Sequence, residues 1–432
     1  MTAALLFGLL ALLLIFNVPV GIALGISTMS TIAIMTNFFD VSIMSLQAIP
    51  QALVTSCDSF PILAIPLFIL SGDLMSAGGV STRILNVCNV FFGRITGGIA
   101  IVTVIVCMFF AAVSGSGPAT VAAVGTMVVP TMLKLGYDKP FVLALVATAG
   151  SIGVIIPPSI PMVIYGVSTG ASVTKLFMGG FIPGIIIGFA LIIYCYIHCK
   201  RRGFKGTSDE FNGKIAFEAV WDAKWALINP IIILGGIYAG IFTPTEAAAV
   251  AAVYAFICGA FLHRELSFKK FLKAVATSCS TTATTMVILG CATAFCKVIT
   301  LEQIPQMITE GLISITSNKV ILLLLINMLL LIIGCFMDTT PAILIMAPIL
   351  LPVAQAIGID PVHFGLIMVC NLAIGFITPP LGINLFVASR IADAPMEVIL
   401  KGIMPFIFTM LLCLMAITFI PPLVMFLPTL LM

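Results

Sequence analysis

Along the chain, long apolar runs alternate with short breaks made of Gly, Pro, Ser, Thr or an isolated charge. Runs such as Ile185 to Ile197 are continuous and lack the alternation of barrel strands, so they read as helices. Within a bilayer the backbone must satisfy its own hydrogen bonds, and a helix does so within one segment. At about 20 residues per crossing, the length allows roughly ten to twelve spans. In the first half they are expected near residues 2–16, 18–36, 59–76, 96–113, 140–156 and 174–197. In the second half they are expected near 226–240, 245–262, 275–298, 319–337, 362–378 and 402–427. Two further segments, 115–135 and 339–357, carry internal or flanking prolines; each is either a straight crossing or a re-entrant hairpin. The apolar stretch after Met1 lacks a basic region and continues past Asn17 and Pro19, which predicts a retained first membrane segment rather than a cleaved signal.

The strongly polar stretch, from His198 to Lys224, divides the chain into a first membrane half (1–198), a linker (199–225) and a second membrane half (226–432). Lys200, Arg201, Arg202 and Lys205 directly follow an apolar run and so mark the linker as cytoplasmic. Gly206 to Asp209 reads as a turn. Lys214 to Trp225 reads as a short helix on the membrane surface, with Phe217, Val220 and Trp221 turned inward. His263, Arg264, Lys269, Lys270 and Lys273 form a second basic cluster on the same side, so the two crossings between the clusters make a hairpin. At its break, Thr243 or Thr245 is the expected helix cap, with Glu246 in the first turn.

One pattern is written twice. SGSGPAT, VVPTMLKLGYD and GVIIPP in the first half correspond to CFMDTTP, LLPVAQAIGID and GFITPP in the second. Pro130 and Pro352 stand 222 residues apart (352 − 130), and the same ungapped shift pairs Gly136 with Gly358, Asp138 with Asp360, and Gly153 with Gly375. It also pairs Pro157 and Pro158 with Pro379 and Pro380. The agreement falls on helix breakers and a charge, which shared hydrophobicity does not explain. Broken apolar segments at matching places in two halves point to a transporter's binding site.

Composition supports this class: 61% of residues are hydrophobic and 8% charged, with a mean hydropathy of +1.27. A net charge of +3 gives no reason to expect a nucleic-acid partner. The 12 cysteines sit mostly in apolar runs, as Cys107, Cys195, Cys258 and Cys335 do, and read as small buried hydrophobes. Cys195, His198 and Cys199 lack a fourth ligand nearby. No Ser-His-Asp set or carboxylate pair assembles from spacing around His198, His263 or His363, which argues against an enzyme. Asp58, Asp73 and Arg83 read as helix-end surface residues.

Asp338 is the sharpest single residue, lying between LLLIIGCFM and Thr339-Thr340-Pro341. A carboxylate at mid-membrane costs about 2.5–3.5 kcal/mol, so it faces a cavity, a partner or an ion. It is a candidate for cation coordination, and equally a candidate helix N-cap. Ser114 to Thr120 offer hydroxyls and close backbone approach, an oxygen-rich set that suits sodium or simple helix packing. The Pro-Pro pairs free carbonyls at Gly153 to Ile156 and Gly375 to Thr378, which a bound cation or a plain interhelical loop would accommodate. Broken helix starts also aim amides at an anion such as a carboxylate. Lys134 and Lys139 mark a membrane surface.

SGSGPAT, GYDKPF, GVIIPPSIPMVIYG, GGIYAGIFTPTEAAAVAAVYA, MDTTPAILIMAPILLPVA and GFITPPLGINLF together resemble the large membrane subunit of tripartite ATP-independent periplasmic (TRAP) transporters, over nearly the whole chain. That resemblance implies an all-α polytopic protein of the bacterial inner membrane. It implies inverted repeats, two re-entrant helical hairpins, a scaffold and an elevator-type transport domain. Its partners would be a separate small four-helix membrane subunit, a periplasmic substrate-binding protein, membrane lipid, and an organic-acid substrate of the C4-dicarboxylate or sialic acid type. Sodium ions would be the only cofactor, with no organic group. One sodium site would use Ser114, Ser116, Gly153 and Pro157; the other would use Asp338, Thr339, Thr340, Gly375 and Thr378. Gly117, Pro118, Thr120, Pro158, Pro341 and Pro380 would meet the substrate. The alternatives are a one-component anion carrier of the same superfamily, or an integral membrane enzyme.

Overall fold

The computed structural model describes residues 2–40, 44–206, 213–316 and 318–431, and every regular element among them is helical. The chain opens with α1 (Thr2–Ile15), α2 (Val20–Phe39), α3 (Ala48–Cys57), α4 (Ala64–Ala77) and α5 (Val80–Phe92). It continues through α6 (Gly98–Ser114), α7 (Gly117–Lys134), α8 (Lys139–Ser151), α9 (Ile160–Thr169) and α10 (Val173–Arg202). The middle comprises α11 (Gly213–Tyr238), α12 (Pro244–Ile257), α13 (Phe268–Leu301) and α14 (Ile304–Ile315). The last part is α15 (Lys319–Phe336), α16 (Thr339–Ala356), α17 (Pro361–Gly375), α18 (Ile383–Ile391), α19 (Met396–Phe419) and α20 (Pro422–Leu431). Among the described residues, nine helices are long and apolar enough to cross a bilayer, with shorter apolar helices between them.

The duplication read from sequence is a duplication of helices. Displaced by 222 residues, α7 superposes on α16 at both ends, and α8, α9 and α10 fall on α17, α18 and α19. Gly136 and Gly358 both take positive φ, at 82° and 73°, where a side chain would be strained. The segments 115–135 and 339–357, left open between a crossing and an internal hairpin, are each one helix. Hairpins form instead between α6 and α7, turning at Gly115-Ser116, and between α15 and α16, turning at Met337-Asp338.

Several boundaries differ from the sequence reading. The surface helix expected at Lys214 to Trp225 is continuous with the following span as α11. Its Phe217, Val220 and Trp221 are exposed on the protein surface, while Ala216, Ala223 and Ala226 make the stripe buried against the protein. Small residues bring α11 close to its neighbours while the large rings face outward. The span expected at 402–427 is two helices, because Ile420 and Pro421 interrupt α19 before α20. The turn read at Gly206 to Asp209 lies outside the described residues beyond Gly206. Helices α3, α5 and α14 had no counterpart among the expected spans, being short (10–13 residues).

The halves of the sequence are interleaved in space. The first half's α4 lies along α12, and α2, α3 and α4 all pack on α13. The two repeats exchange contacts reciprocally: α7 packs on α18 as α16 packs on α9, and α8 packs on α19 as α17 packs on α10. The 30-residue α10 spans about 45 Å at 1.5 Å per residue. The α7–α8 corner meets its C-terminal end, where Tyr137 stacks on Phe204 at 4.1 Å and Asp138 lies 3.8 Å from Arg202. The matching α16–α17 corner meets its other end, where the Tyr165 hydroxyl donates to the Pro361 carbonyl at 2.7 Å and Gly365 packs against Leu176.

The basic face is cross-braced. Arg83 lies 2.7 Å from Glu265 and 3.4 Å from Asp222, joining α5 to α11 and to the loop before α13. Asp58 is exposed, but Asp73, expected at a surface, is half-buried and accepts a hydrogen bond from Ser278 Oγ at 2.6 Å. Thr243, not Thr245, caps α12: its hydroxyl accepts from Glu246 N, and Glu246 Oε2 accepts from Thr243 N at 2.8 Å. Thr245 instead donates to the Phe60 carbonyl at 3.1 Å. Thr243→Ala is expected to cost about 1 kcal/mol of stability, read as a lower thermal midpoint in detergent, while Thr243→Ser retains the wild-type midpoint.

Candidate functional site

Each hairpin turn follows from its residues. Gly115 sits at φ +62°, a left-handed conformation, and a Cβ there would lie 2.8 Å from the Pro158 carbonyl oxygen. Ser116 is extended, and Pro118 in the next turn is preset for a helix start. At the second turn Asp338 is the N-cap, its Oδ1 accepting from Thr339 N at 2.6 Å. Both capping and cavity-facing descriptions of Asp338 therefore hold: one oxygen closes the helix, and the side chain remains exposed to the cavity.

The two turns converge. Gly115, Ser116 and Pro118 from the first, and Asp338, Thr339 and Thr340 from the second, line one cavity of about 100 Å³. Ile69 of α4, Val154, Ile160 and Pro161 at the start of α9, Phe376, and Thr281 and Thr285 of α13 complete its wall. The polar groups are a carboxylate, hydroxyls and backbone; among the described residues no Lys or Arg lines it.

Behind the first turn, the Ser114 and Thr120 hydroxyls are 2.9 Å apart, and Thr120 donates to the Ser116 carbonyl at 2.8 Å. Gly153 closes this group: a Cβ on it would come within 2.6 Å of both Ser116 O and Thr120 Oγ1. Ser114, Ser116, Thr120 and Gly153 are thus one cluster, with Pro157 and Pro158 buried beside it. The Gly115 carbonyl accepts from Ile160 N at 3.2 Å, tying the turn to the Pro-Pro loop.

The second copy is built differently. Gly375 packs on Gly334, where a Cβ would lie 2.5 Å from the Gly334 carbonyl oxygen. Thr378 Oγ1 donates to the Ile374 carbonyl at 2.8 Å, Gly375 O accepts from Thr378 N, and Phe376 O accepts from Asn384 N at 3.1 Å. Of the carbonyls expected to await a cation in this loop, those of Gly375 and Phe376 are therefore already engaged by protein donors, although each keeps a second lone pair. Pro379 and Pro380 are exposed, whereas Pro341 is buried in α16 and Gly117 lies behind the Phe376 ring. Of the residues assigned to substrate, only Pro118 lines the cavity; Thr120 belongs to the hydroxyl cluster.

Three participants escaped the sequence reading. Thr281 and Thr285 come from a hydroxyl-rich run, Ser280 to Thr285, whose density inside a span was the available signal. Asn384 is fully buried; its Nδ2 donates to the Ala147 carbonyl at 3.0 Å and its Oδ1 has no partner among the described residues. It lay inside GFITPPLGINLF, a lone amide in an apolar segment.

Comparison with known proteins agrees with this architecture. The chain is 50% identical to an isethionate TRAP transporter permease protein, DctMQ, from Oleidesulfovibrio alaskensis, a match covering 98% of this chain and 65% of that one. The chain thus spans just under two thirds of that relative's length. It is 41% identical to the C4-dicarboxylate TRAP transporter large permease protein DctM of Vibrio cholerae, covering 100% of this chain and 98% of that one. In fold it is similar to the crystal structure of the Alcanivorax borkumensis YdaH transporter, with a TM-score of 0.60 at 17% identity over 87% of this chain and 89% of that one. The model of the tripartite ATP-independent periplasmic transporter DctM component matches residues 7–423, and the chain belongs to that family, as a multi-pass protein of the bacterial inner membrane.

Proposed function

We propose that the chain is the large membrane subunit of a sodium-coupled, binding-protein-dependent importer of a small organic acid. The observation that carries the reading is the convergence of Ser116 and Asp338 on one cavity with no basic side chain in its wall among the described residues. An organic anion placed about 4 Å from Asp338 meets a like-charge repulsion of about 4 kcal/mol at an effective dielectric of about 20. That is about a thousandfold in affinity. A cation bound beside Asp338 removes the penalty, so anion entry depends on the cation. Hard oxygen donors suit sodium. In this reading Ser114, Ser116 and Gly153 serve one ion, with Pro157 beside them, and Asp338, Thr339 and Thr340, with Gly375 and Thr378 behind, serve the other.

The position of the two corners at opposite ends of α10 supports an inverted repeat, in which the α6/α7 and α15/α16 hairpins enter from opposite membrane faces. Helices α6–α10 and α15–α20 pack around both turns and form the mobile elevator unit. The interleaved α1–α5 and α11–α14 form the scaffold. Exposed apolar residues of α11, among them Phe217, Trp221 and Ile231, suit lipid or a small four-helix subunit. The substrate class is a C4-dicarboxylate, a sialic acid or, given the 50% identical relative, a small sulfonate such as isethionate.

Uptake into proteoliposomes holding this chain, its small partner and the binding protein is expected only with an inward sodium gradient. Equal uptake without the binding protein would favour the one-component carrier. Asp338→Asn keeps a good helix cap but removes the charge. It is expected to fold and to lose about 100-fold in uptake, consistent with losing a charge-assisted contact of about 3 kcal/mol. Wild-type uptake by that variant would reduce Asp338 to a cap, and Asp338→Ala is expected to abolish uptake. Gly153→Ala forces a methyl against Ser116 O and Thr120 Oγ1, and should raise the sodium concentration for half-maximal uptake about tenfold. An unchanged sodium dependence would remove Gly153 from the site.

A further inference from the structure

A second polar pocket, of about 340 Å³, lies between α4, α5, α6 and α7, beside the first hairpin. Asp73, Ser76, Ser81, Thr82 and Thr126 supply its polar lining, and small residues of α7 its floor. The pocket abuts the Ser114 cluster: Gly72 lines the pocket, and a Cβ on it would sit 3.0 Å from the Cα of Ser114. The C-terminal end of α4 leads to the Arg83, Asp222 and Glu265 brace and the basic residues after it, which places the pocket towards the cytoplasm.

The pocket is furnished for a ligand. Ser81 is 5% exposed, lines the pocket, and its hydroxyl has no hydrogen-bond partner among the described residues. Asp73 Oδ2 accepts from Ser278, and no bond to Oδ1 is present among the described residues. Arg83, next to Thr82, is engaged by Glu265 and Asp222 and does not line the pocket. One carboxylate with hydroxyls, and no His or Cys beside them, selects a hard monovalent cation over a transition metal and repels an anion.

We infer that this pocket is a cytoplasm-facing cation station, with Asp73 as its anionic ligand and Ser81 as a neutral one, receiving the coupling ion from the Ser114 cluster on its way out of the protein. The inference rests on the sodium-coupled reading above. The ion leaves through oxygen donors one α4 turn away, so its release is eased without weakening the cavity site that captures it from outside.

The test is inhibition of initial uptake by sodium loaded inside proteoliposomes, at fixed external sodium and with all partners present. Asp73→Asn is expected to raise the internal sodium needed for half-inhibition about tenfold, with external sodium activation unchanged. Ser81→Ala, whose hydroxyl holds no bond in the fold, is expected to raise it about threefold. Ser278→Ala removes the tie between α4 and α13 but keeps the carboxylate, and is expected to retain wild-type internal sensitivity. If Asp73→Asn and Ser81→Ala respond to internal sodium as the wild type does, or if Ser278→Ala reproduces Asp73→Asn, the station is excluded and Asp73 is a structural tie. Wild-type uptake with no external sodium activation overturns the coupling itself, and this inference with it.

Discussion

Breaking a helix inside a bilayer strands backbone groups where no water can satisfy them, and the structure is organised around closing those breaks. Each hairpin turn is bonded to the Pro-Pro loop of its own repeat: Gly115 O accepts from Ile160 N at 3.2 Å, and Cys335 O accepts from Leu381 N at 3.2 Å. Ser159 Oγ donates to the Val154 carbonyl in the first loop, and Asn384 N donates to Phe376 O in the second. Turn and loop are thereby one unit in each repeat. Glycines set how closely the parts approach, since at Gly153 and Gly375 even a methyl group would collide with a backbone carbonyl. A site assembled this way is preorganised, because its oxygen atoms are held by the same bonds that make the breaks tolerable.

The repeats share a backbone plan but not a chemistry. The first turn presents Ser114, Ser116 and Thr120, neutral groups gathered behind Gly115. The second presents Asp338, a carboxylate that also closes the start of α16. The first Pro-Pro loop is sealed in the interior and the second is exposed. A symmetric pair of turns would offer two equal sites. This divergence instead places the one carboxylate that lines the shared cavity among the described residues on the side of the second turn.

Helices from the two halves of the chain interleave. Packing α4 along α12, and α13 along α2, α3 and α4, buries apolar faces from distant parts of the chain against one another. The Arg83 brace adds a charged clasp at the basic face. Asp73, read from sequence as a surface residue, belongs to this zone: it is a polar residue at the seam between interleaved helices and the first hairpin. Burial of that kind depends on which helix comes alongside, a relation that has no local signature.

Helical class, the duplicated breaks and the place of Asp338 at a helix break were legible in the sequence, because the bilayer punishes polar and helix-breaking residues individually and so makes each one informative where it stands. The Thr243/Glu246 cap was legible in outline for the same local reason, with only the choice between Thr243 and Thr245 left open. Tertiary structure decided the rest. It brought Ser116 and Asp338, 222 residues apart, to one cavity, added Thr281 and Thr285, and engaged the Gly375 and Phe376 carbonyls of the second loop with protein donors. It also left Phe217, Val220 and Trp221 exposed on the protein surface and merged the expected surface helix into α11. These outcomes depend on helix-to-helix packing. In an apolar chain nearly every face is oily enough to be buried, so hydrophobic pattern alone cannot select which faces meet.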